Sequence, residues 1–182
     1  MTLLRPVTSE PLSLDLVNCE FMSSGVRQDQ LADLEGTLSW LADHGLKVAE
    51  QDLQAVRSNL IATRSALRTL LRDPENPVAY LALSQVLARG HLRTALDPTG
   101  VSEQVVVDAA WKPAWLAAQN YTELLRESPE RIKACSNHQC ILHFFDTSKN
   151  NSRRWCSMAT CGNRAKATRF VQKQRRSGEP HG

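Results

Sequence analysis

The chain has 182 residues, enough for one medium-sized domain or for one domain with a small appendage. Apolar residues make up 42% of it, glycine and proline are too sparse for a fibrous or disordered chain, and no run approaches the ~20 apolar residues of a membrane helix. Residues 1–130 hold 11 Lys and Arg against 17 Asp and Glu, whereas residues 131–182 hold 11 against two, which predicts an acidic body followed by a basic module that favours polyanions.

The first part of the chain is predicted to be mostly helical. The apolar segment Leu12–Asn18 fits either a helical turn or a strand, because it is too short for its periodicity to decide. Four leucines between positions 31 and 41 recur at spacings of three and four, which predicts an amphipathic helix with Asp29 as its N-cap and Gly45 as its stop. A longer helix is predicted from about Ala49 to Arg72.

The remaining elements of this part are also signalled locally. Asn76 followed by proline predicts the start of a helix that runs to about Ala88. Residues 91–96 and 103–108 flank a turn-forming segment and predict a β-hairpin. A last helix is predicted from Pro113. No catalytic motif is recognisable in these elements, so we expect no enzymatic chemistry.

Several polar residues of the front domain leave alternatives open. Arg57, Arg64 and Arg68 share one side of the long helix, where they form either a solvated surface row or a site for an anionic effector. Asp15 and Asn18 are expected to form caps or core hydrogen bonds, with the lining of a pocket as the alternative.

The strongest signal is a constellation of four cysteines in the basic module. Cys135 and Cys140 form one pair with four residues between them, and Cys156 and Cys161 form a second pair with the same spacing. Two such pairs can supply the tetrahedron of thiolates that structural Zn²⁺ prefers, and four thiolates leave no open position for catalysis. The sequence therefore predicts one structural zinc ion.

This prediction has consequences for location and folding. Because no secretory leader is visible, we expect a cytoplasmic protein, in which reduced cysteines are metal ligands before they are disulfides. Zinc should supply on the order of 10 kcal/mol to the folding of so small a module. We therefore expect Cys156→Ser to unfold the module and to leave the first 130 residues folded. The remaining cysteine, Cys19, is expected to be a small core residue rather than a nucleophile.

The segments around the cysteines predict a treble-clef-like plan. Residues 141–145 favour a strand, residues 146–152 a turn, and residues 153–156 a returning strand. Gly162 is then predicted to begin a helix that reaches about Arg175.

A family resemblance follows from these residues. The run Arg153–Lys166, with its central Cys161-Gly-Asn-Arg164, resembles the signature of the bacterial CGNR zinc-finger family, and Asp146–Asn150 also fits that family. The segment Leu14–Asn18 is similar to the opening of the ABATE domain that usually precedes this finger, although Cys19 stands where a threonine is expected. The resemblance covers nearly the whole chain. It implies a stress-linked transcription regulator whose finger binds DNA and whose front domain senses a signal or dimerises.

Basic residues cluster around and beyond the second cysteine pair. A row of cations on a helix neutralises phosphates well, so nucleic acid is the favoured partner. The alternatives are docking on the acidic front domain or on a partner protein, and a merely solvated face. The candidate nucleic-acid contacts are Arg153, Arg154, Arg164, Lys166, Arg169, Lys173, Arg175 and Arg176.

The sequence thus predicts a mainly α domain with a small β-hairpin at 1–128, a four-cysteine zinc finger at 129–176 and a polar tail at 177–182. Its predicted function is DNA-binding transcription regulation, without enzymatic activity and without a membrane partner. A homodimer is expected because one small module offers few DNA contacts. The alternatives are a zinc-stabilised module that binds protein or RNA, and an enzyme or small-molecule binder with its pocket in the front domain.

Overall fold

The computed structural model describes residues 5–167, in which helices pack around one large apolar core and a smaller apolar cluster surrounds the cysteines. The predicted fold class, mainly α with a small hairpin followed by a four-cysteine module, is confirmed. The helices are α1 (Leu12–Asn18), α2 (Leu34–Asp43), α3 (Leu53–Arg72), α4 (Pro77–Leu87) and α5 (Lys112–Glu127). The strands are β1 (Glu20–Ser23), β2 (Val26–Asp29), β3 (Gly90–Asp97), β4 (Gly100–Val107), β5 (Ile132–Ala134) and β6 (His143–Phe145). Within these residues they form three two-stranded antiparallel sheets: β1 with β2, β3 with β4, and β5 with β6.

The long helix α3 is the centre of the core, because it packs against the other four of these helices. Its predicted apolar face is buried, with Val56, Leu60 and Leu67 fully excluded from solvent. Trp40 of α2 is the largest fully buried side chain of the described residues. Each fully buried side chain of this size contributes roughly 1.5–3 kcal/mol to stability.

The short segment that periodicity could not assign is the helix α1. Residues 13–18 are all buried, because α1 lies against α3, α5 and β6. A helix that is covered on every side has no polar face and therefore no helical period in its sequence. The prediction of core hydrogen bonding is confirmed at Asp15, which accepts from Arg5 Nη1 at 2.5 Å and from Trp40 Nε1 at 2.9 Å.

The helix predicted from the leucine pattern at 31–41 begins later than expected. Asp29 caps only a short 3₁₀ turn, and the backbone then extends at Asp33, whose carboxylate caps α2. Leu31 and Leu41 are buried as predicted, but Leu34 and Leu38 are 41% and 50% exposed, so the predicted leucine face is wrong for those two. The break at Asp33 rotates α2 so that Trp40 faces the core instead.

The other elements of the front domain agree with their local signals. Asn76 caps α4 by accepting from the Ala79 N–H at 3.1 Å. Strands β3 and β4 form the predicted hairpin, and α5 begins one residue before Pro113. The helix α3 begins at Leu53, after a 3₁₀ turn at Glu50–Asp52, slightly later than predicted.

A second hairpin, β1–β2, was not predicted. Its turn has two residues with positive φ, Ser24 at 49° and Gly25 at 80°. This is the type I′ geometry that matches the twist of paired strands. The hairpin carries Phe21 towards the cysteine cluster.

Two arginines of α3 bind this hairpin instead of facing solvent. Arg64 donates to both Asp29 oxygens at 2.5 and 2.8 Å, and Arg68 pairs with Glu20. They are 6% and 8% exposed, so the solvated row expected from the sequence is wrong for both. Cys19 is confirmed as a core residue, since it is fully buried and burial raises the pKa of its thiol to about 11.

Candidate metal centre

The first cysteine pair lies on the connection between β5 and β6. The Cys135 N–H donates to the Leu142 carbonyl at 2.9 Å, and the Cys140 N–H donates to the Asn137 carbonyl at 2.8 Å. The side-chain oxygen of Asn137 also accepts from the Gln139 N–H at 3.1 Å. These bonds close a tight turn that presents both sulfurs to one centre.

The second pair is brought to the first by a π turn. The Ser136 N–H donates to the Arg154 carbonyl at 2.9 Å, which fixes the extended segment before Cys156. The π turn Met158–Gly162 then carries Cys161 back to the cluster, and residues 163–167 continue as α-helix. The helix predicted from Gly162 therefore begins earlier, and its predicted continuation to Arg175 lies outside the described residues.

The four sulfurs fit one zinc ion. The Cys140–Cys156 and Cys156–Cys161 sulfur pairs are each 3.7 Å apart, and all four sulfurs lie within 4.8 Å of one another. A tetrahedron with Zn–S bonds of about 2.3 Å has edges of about 3.8 Å. The donor set is all thiolate and leaves no ligand position open, which is the chemistry of one structural zinc ion.

The electrostatics of the cluster also call for a cation. The Cys156 N–H donates to the Cys135 sulfur at 3.5 Å, and Asn137 Nδ2 donates to the Cys161 sulfur at 3.4 Å. Hydrogen bonds from Cys140 and Cys156 lower the pKa of Cys135, and the hydrogen bond that Cys140 makes with Cys135 raises the pKa of Cys140. Thiols this close ionise together only when a bound cation balances them.

The cysteines share an apolar cluster with both parts of the chain. Leu142 and Phe144 come from the finger, and both are almost fully buried. Phe21 of β1 is 2% exposed and belongs to the same cluster, as does the partly buried Val7. The metal centre is therefore packed against the front domain.

The strand predicted at residues 153–156 is wrong. The strand β6 pairs with β5 instead, with His143 opposite Ala134 and Phe145 opposite Ile132. Residues 153–156 are extended but unpaired as a strand. The segment between β6 and residue 153 is held by a buried carboxylate rather than by a hairpin turn.

That carboxylate belongs to Asp146, which is fully buried. It accepts from Lys133 Nζ at 2.7 Å, from the Ser148 N–H at 2.9 Å and from the Arg153 N–H at 2.8 Å. Burial opposes ionisation, but the Lys133, Ser148 and Arg153 hydrogen bonds hold the pKa of Asp146 below its usual range. Asp146 thus fixes the loop that leads to the second cysteine pair.

Side chains of the front domain occupy the free edge of β6. Asn18 donates to the His143 carbonyl at 2.7 Å and accepts from the His143 N–H at 2.9 Å. Two residues along, a Glu10 oxygen accepts from the Phe145 N–H at 2.9 Å. These two side chains replace a third strand, because they satisfy backbone groups that an edge strand leaves unpaired. The hydrogen bonding expected of Asn18 is confirmed, but its partner His143 and the role of Glu10 were not recognisable from the sequence.

The sequence-predicted basic residues divide into two groups. Arg153 turns inward: it pairs with Glu10 at 2.9 Å, donates to the Cys156 carbonyl at 2.5 Å and stacks on Phe144 at 4.3 Å. These contacts hold its guanidinium against the finger, while 30% of its side chain remains exposed. Its place could not be found from sequence because Glu10 lies 143 positions away.

The other predicted basic residues that the structure describes are exposed. They are Arg154, whose guanidinium lies 5.6 Å from the Trp155 ring centre, together with Arg164 and Lys166. Lys149 is exposed on the same finger and was missed by the sequence argument, which weighed only residues around the second cysteine pair. The remaining predicted contacts lie outside the described residues: Arg169, Lys173, Arg175 and Arg176.

Two family models match the chain. One, described as "CGNR zinc finger", matches residues 131–174, and the other, ABATE, described as "Putative stress-induced transcription regulator", matches residues 10–128, more than half of the chain. No curated protein matches it. Neither matched family is an enzyme family. Among the helices of residues 5–167, none has the length and apolarity needed to cross a bilayer.

Proposed function

Because this chain belongs to the ABATE family and carries a CGNR zinc finger, we propose that it is a transcription regulator that binds DNA through the outer surface of the finger. The proposed division is a front domain at 1–128, the finger at 129–176 and a polar tail at 177–182. The proposed zinc ligands are the Sγ atoms of the four clustered cysteines: Cys135, Cys140, Cys156 and Cys161.

The metal has a structural role in this proposal. When bound, zinc holds the four thiolates together and gives a module with little apolar core a fixed shape. The protein contributes the rest of the fixation through buried Asp146 and through the ion pair between Arg153 and Glu10. A rigid module can present its cations in a constant arrangement, which regular phosphate contacts require.

The observation that carries the proposal is the distribution of charge over the finger. Asp146 is the single acidic residue of 131–167, and it is fully buried beside Lys133. The exposed charges of this segment are therefore positive, and no exposed carboxylate of the segment offsets them. They include Arg154, Arg164 and Lys166, three of the contacts predicted from the sequence. Such a surface attracts a phosphate backbone and releases its counterions.

The predicted contacts beyond the described residues extend the same proposal. They add four cations and no carboxylate before Glu179, so the charge of the finger remains positive along its C-terminal part. We retain as proposed contacts Arg169, Lys173, Arg175 and Arg176.

The test is DNA binding by the zinc-loaded full chain at several salt concentrations. Fluorescence anisotropy with a labelled duplex should show an affinity that falls steeply with salt, with a slope of about 0.9 per neutralised phosphate. A triple variant with Arg154, Arg164 and Lys166 changed to glutamine should lower that slope by about 2.7 if each contacts one phosphate.

The matched control removes the same charge from the front domain. Exposed Arg93, Lys112 and Arg126 are changed to glutamine there, and the salt slope should stay as in the unaltered protein. Equal slopes for both triple variants, with equal zinc contents, would refute a DNA surface on the finger. If single-stranded RNA bound more tightly than duplex DNA, the RNA-binding alternative would replace the proposal.

Dimerisation and effector binding remain separate predictions about the front domain. Sedimentation equilibrium with and without duplex DNA tests the first.

A further inference from the structure

A cavity of about 560 Å³ lies where α3, the β1–β2 hairpin and the zinc finger meet. This volume is in the range of about 300–1,000 Å³ that small-molecule sites occupy. Its lining is both polar and apolar, and it includes Cys140, one of the clustered cysteines. The charged and polar lining residues are Arg27, Arg68, Arg72 and His143, and the apolar ones include Met22, Leu71, Ile141 and Leu142.

The arginines of this region outnumber their acidic partners. Glu20 pairs with both Arg27 and Arg68, and its other neighbour, Arg64, lies 4.0 Å away. Asp29 is the main partner of Arg64, at 2.5 Å. Three guanidinium groups thus share two carboxylates. These three arginines and two acidic residues therefore carry a net positive charge, even without Arg72.

Arg72 adds a fourth guanidinium at that rim. It is exposed, at the last residue of α3, and its guanidinium makes no hydrogen bond or ion pair with any residue of 5–167. Burial and the charges of Arg64, Arg27 and Arg72 lower the pKa of Arg68 to about 10. A buried cation surrounded by like charges is stabilised when an anion enters beside it.

The finger contributes a histidine to the lining of the same cavity. His143 lines it, and its Nδ1 is buried without a hydrogen-bond partner among the described residues. Burial, with Arg68 and Arg72 nearby, lowers the pKa of His143 to about 4. Buried polar atoms in folded proteins are nearly always paired, so this nitrogen indicates a missing partner.

From the charge surplus, the unpaired imidazole nitrogen and the apolar wall, we propose that the cavity binds a small organic anion. Its carboxylate or phosphate group lies among Arg27, Arg68 and Arg72, and its apolar part packs on Leu71 and Ile141. The site goes beyond DNA binding and does not depend on it. Because residues of both α3 and β6 line it, an occupied cavity joins the front domain to the finger. An effector bound there would act on the orientation of the finger.

The test is isothermal titration of the zinc-loaded full chain with four probes. Phenyl phosphate and benzoate carry both an anionic group and an apolar ring, whereas benzyl alcohol lacks the charge and inorganic phosphate lacks the ring. We expect saturable one-site binding of at least one aromatic anion, weaker binding of inorganic phosphate and no binding of benzyl alcohol. Equal affinity for inorganic phosphate and phenyl phosphate would show that the ring does not contribute to binding, and it would overturn the proposal of an organic ligand.

Arg72→Gln locates the binding, and Arg126→Gln is its matched control. Both arginines are exposed residues in the last turn of a helix, so neither change should impair folding or zinc content. Arg72→Gln should weaken probe binding about tenfold, because a charge-assisted hydrogen bond is lost, and Arg126→Gln should leave it unchanged. If neither aromatic anion bound while Arg72→Gln weakened DNA binding, the cavity would be part of a DNA surface and the proposal would be overturned.

Discussion

Replacing Asn18 with alanine should loosen the zinc finger from the front domain. Asn18 is 1% exposed at the C-terminal end of α1, and its two hydrogen bonds to His143, at 2.7 and 2.9 Å, hold the edge of β6. Alanine removes both bonds and leaves one N–H and one C=O of His143 without a partner. The strand β5 cannot replace these two hydrogen bonds, because it pairs with the opposite edge of β6.

The expected loss follows from those two groups. A buried donor or acceptor left unpaired costs about 1–3 kcal/mol. The contacts are partly buried, so water can recover some of that cost, and we expect a total of about 2–4 kcal/mol. This is a large share of the roughly 5–15 kcal/mol by which domains are stable.

The measurement is urea unfolding of the zinc-loaded full chain, together with the rate at which zinc is lost to a chelator. Asn18→Ala should lower the free energy of unfolding and speed zinc loss. Asn18→Asp should be at least as damaging, because it places a carboxylate oxygen against the His143 carbonyl. The control is exposed Asn150→Ala, which should change stability by less than about 0.5 kcal/mol. A loss for Asn18→Ala no larger than that of the control would refute the docking role.

Two further predictions concern the metal and the pH. Cys156→Ser should abolish stoichiometric zinc binding and unfold the finger. Because Phe21 packs in the cysteine cluster, the front domain should also lose about 2 kcal/mol of its free energy of unfolding in urea. An unchanged front domain would instead support the independence expected from the sequence. His44 is partly buried, and burial disfavours its charged form. Its Nε2 lies 3.2 Å from an Asp15 oxygen, and its Nδ1 lies 2.8 Å from the Trp40 carbonyl oxygen. Together these two acceptors outweigh burial and raise the pKa of His44 above 6.5. Its stabilisation should be fully present below about pH 6.5 and lost as pH rises through the raised folded-state pKa. The urea midpoint of the unaltered protein should therefore fall as pH rises above about 6.5, and an equal fall in His44→Gln would contradict this origin.

Much of the fold was accessible from local sequence signals. The cap at Asn76, the hairpin turn before Gly100 and the long apolar face of α3 each depend on residues within a few positions of one another. The cysteine spacing likewise identified the group that the structure gathers within 4.8 Å. These features are decided by backbone geometry and by the preference of zinc for four thiolates, which act over short stretches of chain.

Local signals failed where burial or a distant partner decided the outcome. The helix α1 has no period because it is covered on all sides, and Leu34 and Leu38 are exposed because Asp33 interrupts the helix before them. The ion pair of Arg153 likewise depends on a distant partner, because Glu10 lies 143 positions away in the sequence.

By itself, the sequence determined that a basic four-cysteine zinc finger follows a mostly helical acidic domain. The tertiary structure alone decided how the two are joined, through Asn18 and Glu10 on the edge of β6 and through Phe21 beside the cysteines. It also decided that Arg27 of β2 and Arg64 and Arg68 of α3 share only two carboxylates. The physical reason is that hydrogen bonds and charge balance depend on which side chains meet in space, and these partners are far apart along the chain.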